Sequence, residues 1–319
     1  MSTKPRSIIA SAPGKLLLAG EYAVLDGHPA VAMALGPRAL ARQAEAPIQL
    51  SRFLAAARAA VVETLGDDSD ASRAAAAIVV DSTGFVTDAG RKLGLGSSAA
   101  VTAAAVGGAL LAGGAPLEID LAYRLTCRAH ALAQGGRGSG VDVAAACFGG
   151  LFVAEPTDDI GPRVRPVVKP ADLHMIAAYT GKAAHTPSLI DASAEARARQ
   201  PQRFAAAIAG IARASAGLAA ALDAGNAIAC VEVIADANAA LARLDELMKP
   251  PLRLPAHARI DAVARALGGA AKPTGAAGGD LAIAAFADRD AASRFATEMA
   301  SAGILTLKAE PESGLRPGD

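Results

Sequence analysis

Residues 97–111 read Ser-Ser-Ala-Ala-Val-Thr-Ala-Ala-Ala-Val-Gly-Gly-Ala-Leu-Leu, a stretch with the length and composition of a helix but no charged residue on any face. A helix that is apolar all round must be covered by other elements, so the fold has to wrap packed layers around it. Directly before it, Lys92-Leu93-Gly94-Leu95-Gly96 supplies two glycines that let the backbone bend close to a ligand. Loop and helix together present unpaired N–H groups and partial positive charge to whatever lies at Ser97 and Ser98, which suits a phosphate. A plain N-cap at Ser97 is the structural alternative.

The core around such a helix must be built from small side chains. Apolar residues make up 52% of the 319, yet aromatics are 3% and Trp is absent, leaving Ala, Val, Leu and Ile. Lys and Arg number 31 against 31 Asp and Glu, a net charge of zero, which argues against a general nucleic-acid binder but not against a small anionic ligand. Cys127, Cys147 and Cys230 are widely spaced, so neither a disulfide framework nor a zinc site is expected, and the histidines form no ligand pattern. The first residues carry charge but reach Pro13-Gly14 before any long apolar stretch, unlike a signal peptide. Apolar runs elsewhere are broken short of a membrane span, so a cytoplasmic protein is expected.

Along the chain, Ser7–Ala12 and Lys15–Ala19 read as two short strands around the Pro-Gly turn. Phe53, Leu54, Ala57, Val61, Val62 and Leu65 fall on one helical face within 51–65. A strand is expected over 78–80, helices over 97–111 and 116–133, and a strand over 173–179. Long helices follow across 188–224 and 227–248, then one over 256–267. After the Gly-rich loop 275–279 come a strand over 281–286, a helix over 291–301 and a strand over 304–307. Pro and Gly cluster between Asp158 and Pro170, placing a boundary between residues 1–165 and 166–319. The class is α+β in two lobes.

The loop at 94–100 matches neither G-x-x-x-x-G-K-[ST] nor a strand-borne G-x-G-x-x-G, excluding the two commonest nucleotide loops. Two further segments give it a context: Ser11-Ala12-Pro13-Gly14-Lys15-Leu16-Leu17-Leu18-Ala19-Gly20-Glu21-Tyr22-Ala23-Val24-Leu25 and Lys272-Pro273-Thr274-Gly275-Ala276-Ala277-Gly278-Gly279-Asp280. In order and spacing the three resemble the motifs of the GHMP kinases, which include galactokinase, homoserine kinase, mevalonate kinase and phosphomevalonate kinase. Ala129-His130-Ala131-Leu132-Ala133-Gln134-Gly135, leading into Gly138-Ser139-Gly140-Val141-Asp142-Val143-Ala144-Ala145-Ala146, is most similar to the corresponding run of phosphomevalonate kinases. Tyr179-Thr180-Gly181-Lys182-Ala183-Ala184 looks like their T-G-x-x-A segment, and Tyr22 stands where mevalonate kinases tend to carry His.

The resemblance implies a fold with an N-terminal lobe like ribosomal protein S5 domain 2 and a ferredoxin-like C-terminal lobe, with ligands between them. It implies ATP and Mg2+ as cofactors and phosphorylation of 5-phosphomevalonate to 5-diphosphomevalonate, a step of the mevalonate route to isoprenoid precursors. Asp142 and Lys15 are the implied catalytic pair, with Asp142 acting either as base or as positioner, since a phosphate nucleophile is already ionised. Lys92, Gly94, Leu95, Gly96, Ser97 and Ser98 would hold ATP, with Ser98 as the metal ligand. A glutamate that binds metal in mevalonate kinases aligns with Ala131 here, which cannot coordinate. Tyr22, Arg137, Ser139, Gly140, Lys182, Ala277 and Gly278 join Lys15 as candidate substrate contacts, and Lys92, Arg137 and Lys182 are the cations that could meet the substrate's phosphate. His185 replaces a small hydroxyl residue of the pattern, and Ala277 replaces a glycine. A monomer or homodimer without nucleic-acid or membrane partners is expected. The competing functions are another small-molecule kinase of the superfamily, mevalonate kinase above all, a related ATP-dependent decarboxylase, and a catalytically silent ligand sensor. Retention of Lys15, Ser98 and Asp142 together speaks against the last.

Overall fold

In the computed structural model, which describes residues 7–44, 50–136 and 138–318, strands β1 (Ala10–Ala19) and β2 (Ala30–Gln43) pair antiparallel in the first of two sheets. Where the sequence reads as two short strands, β1 is continuous, and the register shifts between Pro13 and Gly14 instead. The irregularity accommodates a proline that cannot donate to the ladder. A Cβ on Gly14 would lie 2.6 Å from the Leu95 carbonyl oxygen, so no side chain fits there. The same carbonyl accepts the Lys15 N–H at 2.8 Å, tying the Gly-rich loop to β1 immediately beside Lys15.

Helix α1 (Arg52–Leu65) is capped by Ser51, whose Oγ accepts the Leu54 N–H at 3.3 Å. After α2 (Asp70–Ala75), strand β3 (Ile78–Asp81) pairs with the far half of β2. The apolar helix α3 (Ser97–Ala112) forms as expected and buries Ala99, Ala100, Thr102–Leu110 in the first core. Then come α4 (Ile119–Gln134), α5 (Val141–Phe148), β4 (Leu151–Glu155) and β5 (Arg163–Val167), with β4 pairing to β2 and β5 to β4. Alternation along β1 sends Leu16 and Leu18 into the main core and Leu17 into a smaller one with Val141, Ala144 and Ala145 of α5.

The second sheet is built from β6 (His174–Tyr179) and the strands that follow a helical run of α6 (Thr186–Arg199), α7 (Pro201–Asp223), α8 (Ala227–Asp245) and α9 (Pro255–Ala266). The single helix expected over 188–224 is divided, because Pro201 starts α7 and Gln200 sits at φ −141°, outside the helical region. By length and composition α7 could cross a bilayer, which the sequence reading overlooked. It instead carries Phe204, Ile208, Ile211, Leu218 and Leu222 into the protein core. Strands β7 (Ala270–Pro273) and β8 (Leu281–Phe286), helix α10 (Arg289–Ser301) and strand β9 (Thr306–Lys308) complete an antiparallel sheet of order β7-β8-β6-β9. Its period-2 alternation serves two cores: Met175 and Ala177 share one with Leu218, Leu222 and Ile234, while Ile176 and Ala178 share another with Ile260 and Phe295. Finally β10 (Arg316–Pro317) returns to pair with β1. Residues 165 and 166 both lie in β5, so the lobe division we propose follows the sheets rather than one point in the chain.

Candidate active site

The chemistry gathers at the start of α3. Gly96, at φ 72° and ψ 39°, is left-handed, and no side chain caps the helix, so Ser97 is its first residue and not its N-cap. The first-turn N–H groups therefore have no side-chain acceptor. Helix α5 begins in the same way, behind the left-handed Gly140 (φ 71°) and without a side-chain cap, and Asp142 sits in its first turn. A Cβ placed on Gly96 would lie 2.9 Å from Lys15 Cγ and 3.8 Å from Asp142 Cβ. Lys15, Asp142 and the open end of α3 thus meet within the space of one missing side chain.

Asp142 uses Oδ1 to accept the Val143 N–H at 3.0 Å, while Oδ2 lies 3.7 Å from His130 Nε2. His130 is buried, stacks on Phe53 at 5.7 Å between centroids, and places Nε2 3.2 Å from Ser98 Oγ. The Ser98 carbonyl accepts the Thr102 hydroxyl at 2.8 Å.

The third loop closes over Lys15. A Cβ on Gly275 would fall 3.2 Å from Lys15 Nζ. Asp280 lies directly against Gly94, accepts the Ala184 N–H through Oδ1 at 2.9 Å, and faces the charges of Lys15 and Lys92. Burial raises its carboxyl above the usual carboxylate range, and the Ala184 N–H and the two lysines oppose that shift. Tyr22 donates its hydroxyl to the Ala276 carbonyl at 2.7 Å and is buried, so this candidate substrate contact spends its polar atom holding the loop. Behind it, the Lys272 ammonium donates to Glu21 Oε1 in an ion pair whose partners are 0% and 1% exposed. The non-glycine residues with positive φ among the described residues are Tyr22 (61°), Ala277 (58°) and Asp280 (53°), all at this junction. Backbone strain of this kind costs on the order of 1–3 kcal/mol per residue and persists where surrounding contacts over-determine it.

The remaining candidates are placed less uniformly. Ala277 is 1% exposed and packs in a core with Tyr22 and Leu189, and a side chain on Gly278 would meet Leu189 at 2.9 Å, so both face the protein interior. Ser139 and Gly140 line a cleft of about 270 Å³ with His130, Leu25 and Pro162. A larger hollow of about 550 Å³, at Glu118, Phe148 and Leu315, holds none of these groups. Lys92 and Lys182 are exposed, and Arg137 lies outside the described residues. His185 caps α6, its Nδ1 2.6 Å from Ser188 Oγ, which gives this departure from the family pattern a structural role. Among the described residues no group of three or more His, Cys, Asp or Glu side chains could hold a metal ion. His130, Asp280 and the Glu21–Lys272 pair were not singled out from the sequence. Each lies inside a recognised motif, but nothing local marks its partner.

Gly96→Val is expected to abolish nucleotide binding in a calorimetric titration while circular dichroism stays that of the folded protein. A β-branched residue is strained at φ 72° and would press on the Lys15 stem. Unchanged affinity in the folded variant would refute the placement of nucleotide at this loop.

Comparison with known proteins identifies the family and the fold. Residues 52–150 match the GHMP kinases N terminal domain. A phosphomevalonate kinase from Streptomyces sp. (strain CL190) is 30% identical, the match covering 98% of this chain and 99% of that one. Among solved structures, the Lin0012 protein from Listeria innocua superposes with a TM-score of 0.83 at 18% identity, covering 97% of this chain and 98% of that one. Streptococcus pneumoniae phosphomevalonate kinase in complex with phosphomevalonate and AMPPNP gives a TM-score of 0.78 at 21% identity, covering 94% and 100%. The two-sheet α+β architecture is therefore that of the GHMP kinases. On the identity it shares with a phosphomevalonate kinase over nearly its full length, the chain belongs to the phosphomevalonate kinase family of that superfamily.

Proposed function

We propose that this chain transfers the γ-phosphoryl group of ATP to the phosphate of 5-phosphomevalonate, releasing ADP and 5-diphosphomevalonate. The observation that carries the reading is the convergence of Lys15, Asp142 and the uncapped start of α3 on Gly96. A terminal oxygen of the substrate phosphate attacks the γ-phosphorus. The new P–O bond forms as the bond to the β–γ bridging oxygen breaks, and the electron pair leaves with ADP. Catalysis of such a transfer is mostly positioning and electrostatic stabilisation. A phosphate monoester has its second pKa near about 6, so the nucleophile needs little deprotonation at neutral pH. Asp142 therefore orients the attacking phosphate and Lys15, and Lys15 neutralises charge on the transferring group. The N–H groups at the start of α3 hold the nucleotide phosphates.

Magnesium fits this site in a limited way. Ser98 offers an oxygen ligand, the donor type magnesium takes, and such an ion keeps several waters and leans on substrate phosphates. When bound, the ion would be held by Ser98 and would supply positive charge against the nucleotide phosphates. Lys92 and Lys182 are the exposed cations available for the substrate's own phosphate. Three buried, unpaired cysteines suit a cytosolic setting.

The test is a coupled ADP-release assay against mevalonate, 5-phosphomevalonate, 5-diphosphomevalonate, homoserine and galactose. Turnover of 5-phosphomevalonate is expected to exceed that of every other member of the panel, and equal or faster turnover of another member would overturn the substrate assignment.

A further inference from the structure

We propose that His130 is a positioning residue that sets the direction of the Ser98 hydroxyl, a role that rests on the reading of Ser98 as a nucleotide contact. Three groups surround its Nε2: Ser98 Oγ at 3.2 Å, the Gln134 amide nitrogen at 3.1 Å and Asp142 Oδ2 at 3.7 Å. The last distance is beyond hydrogen-bonding range, so Nε2 is not spent on the carboxylate. In the tautomer that carries its proton on Nδ1, Nε2 offers one in-plane lone pair, which the Ser98 hydroxyl shares with the Gln134 amide nitrogen. With its hydrogen turned toward His130, the Ser98 oxygen presents its lone pairs to the opening of α3, where a cation on the nucleotide phosphates would need an oxygen ligand.

The ring has little freedom to do otherwise. Its side chain is 7% exposed and it stacks on Phe53 with 23° between ring planes. Arg52 in turn lies over the opposite aromatic, 4.8 Å from the Phe53 centroid. Three separate elements, the start of α1, the last turns of α4 and the first turn of α3, are thereby fixed to one another through a single imidazole. Groups that hold a ligand's orientation in this way are worth as much as the ligand's own bond geometry allows, because a freely rotating hydroxyl presents its lone pairs only part of the time.

The proposal is tested by a double-mutant cycle read in nucleotide affinity. His130→Phe keeps a stacking ring and removes the nitrogen, His130→Gln keeps an acceptor, and Ser98→Ala removes the hydroxyl. Dissociation constants for AMPPNP with magnesium are measured by calorimetry on the full chain. His130→Phe should weaken binding by about tenfold, the scale of one hydrogen bond. His130→Gln should recover most of that loss, and the double variant His130→Phe/Ser98→Ala should bind no more weakly than Ser98→Ala alone. Additive losses in the double variant, or unchanged affinity in His130→Phe, would overturn the proposal. So would equal impairment by Phe and Gln, the pattern of a residue that only supports the fold. If His130→Phe does not fold, His130→Asn, too short to reach Ser98, takes its place in the cycle with the same two outcomes. A wild-type chain that shows this coupling yet releases no ADP with 5-phosphomevalonate would refute the substrate reading while leaving His130 in its role. A wild-type chain that binds no nucleotide would overturn both.

Discussion

Asp142→Asn is expected to lower kcat by roughly 10²-fold or more, about 2.7 kcal/mol of transition-state stabilisation, with little change in nucleotide affinity. The substitution keeps an oxygen that can accept the Val143 N–H, so the first turn of α5 should remain intact. What it removes is the charge facing the space at Gly96, where Lys15 approaches from β1. If Asp142 were only a helix-terminal acceptor, the amide would serve equally well. Turnover measured at saturating substrates separates the two roles, and wild-type kcat in the Asn variant would remove Asp142 from the mechanism.

The second large effect is on stability. Glu21 follows β1 and Lys272 lies in β7, so their ion pair joins the segment after the first sheet's lead strand to the second sheet. Neither side chain reaches solvent, and Glu21 Oε2 has no hydrogen-bond partner. Desolvation lowers the Lys272 pKa from its ordinary value, and the Glu21 carboxylate opposes that shift. Removing one partner strands the other charge in the interior, at a cost of about 3–5 kcal/mol. Glu21→Gln and Lys272→Met should each lower Tm strongly, and the double variant should recover much of the loss, because no charge is then left unpaired. Strictly additive losses in thermal unfolding would show that the two side chains do not act as a pair.

Part of this organisation can be read directly from residue order. Gly94, Gly96 and the charge-free stretch after Ser97 point to a covered helix that begins behind a glycine turn, and α3 is built in that way. Strand β2 is another matter. Ala30–Leu35 is buried at every position, so the apolar–polar alternation that marks a half-exposed strand never arises, and its alanines carry little β preference. The break between α6 and α7 was legible at Pro201, but the run of alanines on either side outweighed one proline. The bulge at Pro13 depends on Leu95 approaching from across the lobe, which local sequence cannot express. The same holds for the site. Lys15, Ser98 and Asp142 stand out because motifs carry them, whereas Glu21 and Lys272 lie 251 residues apart and acquire meaning only as a pair. Ala277 was readable as a departure from glycine. That it occupies a left-handed position, with its methyl packed beside Tyr22, required the fold.

The discrimination between 5-phosphomevalonate and mevalonate tests the central claim most directly. A site built around a phosphate contact leaves its cations unpaired when that group is missing, and such a loss can reach about 10⁴-fold where the contacts are buried and less where water enters. Lys92 and Lys182 are exposed, so a ratio of kcat/KM below that ceiling but well above tenfold is the expected result. It is obtained by following ADP release from the purified chain with each substrate in turn. Strong preference for 5-phosphomevalonate is the result this account predicts, and kcat/KM for mevalonate that equals or exceeds it would contradict the account.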